Sequence, residues 1–238
     1  VYRSRQLKPP SLQPNERRIL SVDIALMASK KHNNDASALI INSAIPTENN
    51  DYISNFVYEE SHEGLTTDEL GIIVMRTFYQ YNCTDLVLDT NGQGLGVYDF
   101  CIKPQFDAEY STTYDALTCI NDDNMASRCK VKGANRVIWS IKATAEFNTK
   151  AALALRAGFQ NGNINLLLTE YEAEEMIKKI RGYSKMTAKE QTMLKLPYIQ
   201  TSFLVNELIN LDHEVKGTNV KIKEKSGMRK DRYSSAMM

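Results

Sequence analysis

Residues 85–89, DLVLD, restrict the fold more than any other stretch. Three apolar residues lie between two aspartates, and the second aspartate opens onto the turn-forming string TNGQGLG. A short apolar run bounded by turn formers reads as a strand buried on both faces, which needs layers above and below it. Three more strand segments precede it: RILSVDIAL (18–26), ASALIINSAI (36–45) and DYISNFVYEES (51–61), the first two joined by a polar turn at 27–35. Between them and DLVLD, Thr66 and Glu69 have capping-box spacing ahead of LGIIVMRTFYQYN, which has helical periodicity. An antiparallel hairpin set joined through a helical crossover to another strand gives an α/β fold, a mixed sheet flanked by helices.

The rest of the chain extends this plan. Residues 1–17 hold three prolines and little periodicity, so they read as a linker leading into one domain over 18–238. A helix is expected to start within GLGVYDFCI, and 103–133 read as a long polar loop. A strand follows at 135–142, then a helix over 148–162 with Asn148 as N-cap and Gly162 as stop. Residues 169–183 and 187–211 read as helices, the second interrupted or preceded by Pro197. A basic hairpin turns at Gly-Thr-Asn within 213–225, and the chain closes on the start of a final helix.

The 238 residues, 42% hydrophobic and 24% charged, suffice for a sizeable core. No apolar stretch approaches the ~20 residues that span a bilayer, and the start does not read as a signal peptide. The first residue is Val1, so the chain is expected to be a piece of something longer. Cys83, Cys101, Cys119 and Cys129 lack metal-ligand spacing and read as reduced thiols. Net charge is zero but unevenly spread: 46–70 hold seven acids and no Lys or Arg, whereas 216–232 hold seven bases against two acids. A polyanion would avoid the first stretch and could settle on the second.

The glycines after Asp89 first suggest a phosphate cradle. Gly92, Gly94 and Gly96 are spaced G-x-G-x-G, which fits neither the dinucleotide fingerprint nor the P-loop. The alternative gives the work to the carboxylate, with the glycines letting the chain turn away without crowding it. Asp23 lies inside an apolar strand, where an unpaired carboxylate is costly. If its strand and DLVLD are parallel neighbours, Asp23 and Asp89 converge at one sheet edge, and Asp231 can join them from the last helix. Magnesium and manganese favour oxygen donors and keep waters, so a few carboxylates suffice when phosphates complete the shell. Each acid also has an ordinary role: Asp23 bonded to backbone, Asp89 a turn former, Asp231 a helix N-terminal acid.

Together ILSVDIA (19–25), LVLDTNGQGLGVYD (86–99), FNTKAALALRAGFQNGNINLL (147–167), LPYIQTSFLVNEL (196–208) and KDRYSSAMM (230–238) resemble the nuclease domain of the large terminase subunit of tailed bacteriophages. The resemblance implies a ribonuclease H-like fold with an added basic β-hairpin near the C-terminus. It implies an endonuclease that cuts concatemeric double-stranded DNA by two-metal phosphodiester hydrolysis. Asp23, Asp89 and Asp231 would be its catalytic, metal-binding residues, with two Mg2+ or Mn2+ ions. Lys221, Lys223, Lys225, Arg229 and Lys230 would contact DNA phosphates. Implied partners are double-stranded DNA, an ATPase motor domain of the same subunit, the portal and the small terminase subunit, in the host cytoplasm and away from any membrane. Relatives often carry a second acid beside the late aspartate, whereas Asp231 has Lys230 and Arg232 as neighbours.

Asp35 and Glu59 or Glu60 are possible auxiliary acids, although they read first as surface acids. His32, His62 and His213 lack ligand spacing and read as surface residues, with His213 a candidate phosphate contact. Two other functions are open: a nucleotide-binding or phosphotransfer module using the turn from Gly92 to Gly96, and a docking module of the packaging motor presenting 46–70 and 103–133.

Overall fold

The computed structural model describes residues 2–4, 11–25, 36–49 and 51–238. β2 (Arg17–Asp23), β3 (Ser37–Pro46) and β4 (Tyr52–His62) form an antiparallel meander. α1 (Thr67–Gln80) carries the chain across one face, and β5 (Asp85–Asp89) returns parallel to β2. β9 (Asn135–Ile141) pairs parallel to β5, and β8 (Leu117–Cys119) parallel to β9. On the other flank β10 (Ile164–Leu167) pairs parallel to β4, and β1 (Tyr2–Ser4) parallel to β10. The sheet order is β1-β10-β4-β3-β2-β5-β9-β8. This is the expected α/β class, a mixed sheet between helices.

The local chemistry explains these elements. The capping box at the start of α1 forms, with Glu69 Oε2 accepting from the Thr66 amide at 2.8 Å. α1 then buries Leu70, Val74, Met75 and Phe78 on one side. They pack with α2 (Gly94–Cys101) against Leu20 and Val22 of β2, Leu39 and Ile41 of β3, and Leu86 and Leu88 of β5. The two-residue period of a strand sends the intervening residues to the opposite face. There Ile40 and Phe56 meet Ala152 and Leu155 of α4 (Ala145–Gln160), Leu204 of α6 (Ala188–Asn210) and Tyr233 of α7 (Asp231–Met237). α5 (Glu170–Lys178) joins α6 in a smaller cluster around Leu167, Ala173, Ile177 and Tyr198.

Four expectations need correction. Tyr2–Ser4, within the stretch read as a linker, is the outermost strand of the sheet. The stretch 103–133 is not a loop: it contains β6 (Gln105–Asp107) and β7 (Thr112–Tyr114), which pair as a hairpin, then β8 and α3 (Asp123–Ala126). These elements are three or four residues long, too short to display a period. The cap of α4 is Thr144 rather than Asn148, its hydroxyl accepting from the Phe147 amide. α6 runs through Pro197 unbroken. Burial of Tyr198, Thr201, Leu204 and Glu207 beyond the proline outweighs one lost backbone bond. β10 was not foreseen, and the turn at 27–35 lies outside the described residues.

Leu88 is fully buried between α1 and the sheet. Leu88→Ala is expected to cost about 2–5 kcal/mol of stability, read from urea unfolding. An unchanged unfolding midpoint would contradict the central position of β5.

Candidate active site

The site starts from the pairing of β2 with β5. Their parallel register runs from Ile19 opposite Asp85 to Val22 opposite Leu88, so the next step sets Asp23 beside Asp89. Leu20, Val22, Leu86 and Leu88 all face α1 and α2. Alternation therefore turns Asp23 and Asp89 to the opposite face, where α7 lies. Both are half-buried and both end their strands, which lie about 4.8 Å apart as neighbours in a sheet do. The carboxyl ends of strands are where open α/β sheets bind their ligands.

The glycine turn fixes the end of β5. The Asn91 amide donates to Asp89 Oδ1 at 3.0 Å, so this aspartate is also a turn former. Gly92 has φ +55°, a left-handed conformation that favours glycine. A Cβ on Gly94 would lie 1.8 Å from the Asp89 carbonyl oxygen, so no side chain fits there. The clearance is for Asp89's own backbone, which lets α2 start hard against the strand end. The amides of Gly94, Leu95 and Gly96 donate to Asn91, Gly92 and Gln93 carbonyls. Those three donors are therefore engaged within the turn itself.

Asp231 reaches the same edge from α7. One carboxylate oxygen accepts from the Ala36 amide at 3.0 Å, and Ala38, two residues on, is the β3 partner of Asp23. Ser235 Oγ, one turn into α7, donates to the Ser21 carbonyl at 2.9 Å and seats the helix on β2. The backbone thus carries acids of β2, β5 and α7 toward one edge and one face of the sheet. Among the described residues no group of three or more His, Cys, Asp or Glu could hold a metal ion as a ready-made cluster. Asp35 and His32 lie outside the described residues.

Behind α7 lies a buried polar network. Arg232 donates from Nε to Gln200 Oε1 at 2.6 Å, from Nη1 to Glu207 Oε1 at 2.7 Å and from Nη2 to Ser61 Oγ at 3.0 Å. Glu207 Oε2 accepts from the Tyr233 amide at 3.0 Å. Glu59, on the same face of β4 as Ser61, accepts from Thr201 Oγ1 at 2.8 Å through one oxygen, and its other oxygen is buried without a partner. Burial pushes the Glu59 carboxyl up to about 8, with Glu207 adding to the rise and Thr201 and Arg232 opposing it. Glu60 faces the other way, bonded to Thr77, Tyr58 and His62. Both glutamates are buried and bonded internally, rather than the surface acids expected, and neither extends the carboxylate edge.

Neither a protein-family model nor a curated protein matches this chain. Solved structures do. The large terminase nuclease from thermophilic phage G20c with bound cobalt superposes with a TM-score of 0.50, at 11% identity over 95% of this chain and 81% of that one. Another structure of the G20c nuclease gives 0.49 at 11% identity, covering 97% and 89%. The HK97 bacteriophage large terminase gives 0.49 at 10% identity over 99% of this chain but 42% of its own length. The fold is that of a large terminase nuclease. At these identities the likeness is one of fold, and it agrees with the ribonuclease H-like arrangement expected from the sequence.

Basic residues near the C-terminus lie on a separate hairpin of β11 (Leu211–Lys216) and β12 (Asn219–Glu224). Val220 and Ile222 face inward over a cavity of about 700 Å³ shared with α4 and α6, while Lys221 and Lys223 alternate outward. Thr149 of α4 anchors the hairpin, accepting from the Val220 amide at 3.0 Å. Lys223 is paired with Glu214, Lys230 with Glu224 and Arg229 with Glu63. Lys221 and Lys225 are exposed and make no salt bridge among the described residues. His213 is exposed on β11 opposite Ile222.

Gln200, Glu207 and Arg232 were missed in sequence. The available signal was the spacing of Gln200 and Glu207, seven residues apart and hence on one face of the helical segment 196–208.

The raised Glu59 group has a pH consequence. Below about 4.5 the carboxyl is protonated in both folded and unfolded chains, and above about 8 it is ionised in both. Between those values the folded protein binds more protons, so stability falls as pH rises. Glu59→Gln is expected to flatten that decline in thermal midpoint between about pH 4.5 and about 8. An identical slope in both proteins would contradict a buried, largely protonated Glu59.

Proposed function

We propose that the chain is a divalent-metal-dependent endonuclease acting on double-stranded DNA, the nuclease part of a viral packaging terminase large subunit. The observation that supports this reading is the parallel register of β2 and β5, which ends at Val22 opposite Leu88 one step before Asp23 and Asp89, together with the Ala36 amide bond to Asp231 of α7. The donor set suits a hard cation: oxygen ligands alone, two of them half-buried rather than sealed in the core. Asp23, Asp89 and Asp231 would hold Mg2+ or Mn2+, one or two ions. Such ions, when bound, supply activation of water and charge neutralisation at a phosphodiester. The bound cobalt of the G20c nuclease supports divalent-metal use.

The chain's own residues do the rest. The Gly92 and Gly94 turn holds Asp89 at the strand end, and the Ala36 amide holds Asp231. Lys221 and Lys225, both exposed, would meet DNA phosphates directly, whereas Lys223, Arg229 and Lys230 would exchange a carboxylate for a phosphate. The endonuclease unit in this reading is 18–238, with Tyr2–Ser4 added to its sheet from the preceding stretch. Its partners would be DNA, an ATPase motor domain of the same subunit, the portal and the small subunit. The site of action would be the host cytoplasm, and no helix among the described residues is long and apolar enough to cross a membrane.

Asp89→Asn is expected to keep the fold by circular dichroism and to abolish nicking of supercoiled plasmid in Mn2+. Undiminished nicking by that variant, or nicking in excess chelator, would overturn the reading. For DNA binding, Lys221→Ala and Lys225→Ala are each expected to reduce the slope of log affinity against log salt by about one, uniformly across sequences. Lys223→Ala is expected to do less, because Glu214 already holds that ammonium group. A larger effect at Lys223 than at Lys221 would contradict this ranking.

A further inference from the structure

The network behind α7 bears on Asp231, and this step rests on the endonuclease reading above. α7 has only seven residues, and its N-cap residue Lys230 offers no side-chain cap. So short a helix has little stability of its own. Its first turn is held from outside at three places. On one side the Ala36 amide donates to the Asp231 carboxylate. On the other, Glu207 of α6 accepts from the Tyr233 amide, the third in the helix, doing for α7 what a cap residue normally does. The third hold is Arg232.

Arg232 is 7% exposed and its guanidinium is engaged on three edges, by Gln200 and Glu207 of α6 and by Ser61 of β4. Its plane also lies over the Phe203 ring at 4.9 Å. Ser61 Oγ donates to Gln200 Oε1 at 3.0 Å and closes the ring of contacts. An arginine with its fork filled in this way has one position open to it, and Asp231 is the residue before it. The cation also offsets Glu207, so two carboxylates can share the start of α7 without mutual repulsion dominating.

We propose that Arg232 and Glu207 are positioning residues for metal binding: the Glu207–Arg232–Gln200–Ser61 network fixes where the Asp231 carboxylate sits relative to Asp23 and Asp89. Outer partners that orient a metal ligand change metal affinity when lost, and the loss is commonly 10–100-fold. Lysine at 232 keeps the charge but replaces a three-edged fork with a single ammonium group.

The test measures Mn2+ affinity by titration calorimetry and thermal midpoint, with plasmid nicking alongside. Arg232→Lys and Glu207→Gln are expected to weaken Mn2+ binding about tenfold or more, with nicking recovering towards the unaltered rate as Mn2+ is raised. Val205→Ala, on α6 but outside the network, serves as the control: it is expected to lower the midpoint and leave Mn2+ affinity unchanged. Ser61→Ala and Gln200→Ala, each removing one acceptor, carry the test if Arg232→Lys fails to fold, and each is expected to weaken binding about threefold or more. Unaltered Mn2+ affinity in the folded network variants, alongside its loss in Asp231→Asn, would overturn the positioning role alone. Absence of Mn2+ binding by the unaltered protein would overturn the endonuclease reading with it.

Discussion

The parallel pairing of β2 with β5 is the interaction on which the rest of the structure depends. It brings together residues more than sixty positions apart in sequence, and it works because Leu20 and Val22 of β2 and Leu86 and Leu88 of β5 all face α1 and α2. With that face buried, register is strongly specified, since a slip of one residue would send the leucines outward and the aspartates into the core. Hydrophobic packing on one side of the sheet thereby sets the position of two carboxylates on the other. α1 supplies the crossover that makes the pairing parallel, and its capping box starts that helix at the right place.

The opposite face is organised by polar contacts. α7 is too short to hold itself and is docked by Ser235, Arg232 and the backbone amide accepted by Glu207. Burying Arg232, Glu207 and Glu59 together carries a desolvation cost that an apolar cluster would not. What such a network offers in return is one arrangement in place of several, because partial satisfaction of buried donors is expensive. The contrast is physical: β2 and β5 gain their position from burial, and α7 gains its position from hydrogen-bond geometry.

Much of this was legible in sequence, for identifiable reasons. DLVLD announced a strand buried on both faces, and Thr66 and Glu69 announced a helix start, because both signals are local. The basic hairpin was legible from alternation around a Gly-Thr-Asn turn. The glycines after Asp89 were read as clearance, and the clearance is real, though it protects Asp89's own carbonyl. The failures share another cause. β1, β8 and β10 are three or four residues long and exist only because a neighbouring strand is there to pair with. α6 survives Pro197 because tertiary burial outweighs a local rule. Arg232 looked like another member of a basic surface run, since its partners on α6 and β4 are 25 to 171 positions away.

The central claim is that three carboxylates from β2, β5 and α7 form one divalent-cation site at the sheet edge. The most direct measurement is anomalous diffraction from a crystal soaked in Mn2+. The account expects anomalous density between the carboxylates of Asp23, Asp89 and Asp231. Density bound elsewhere with that edge empty, at a Mn2+ concentration that supports nicking, would contradict it.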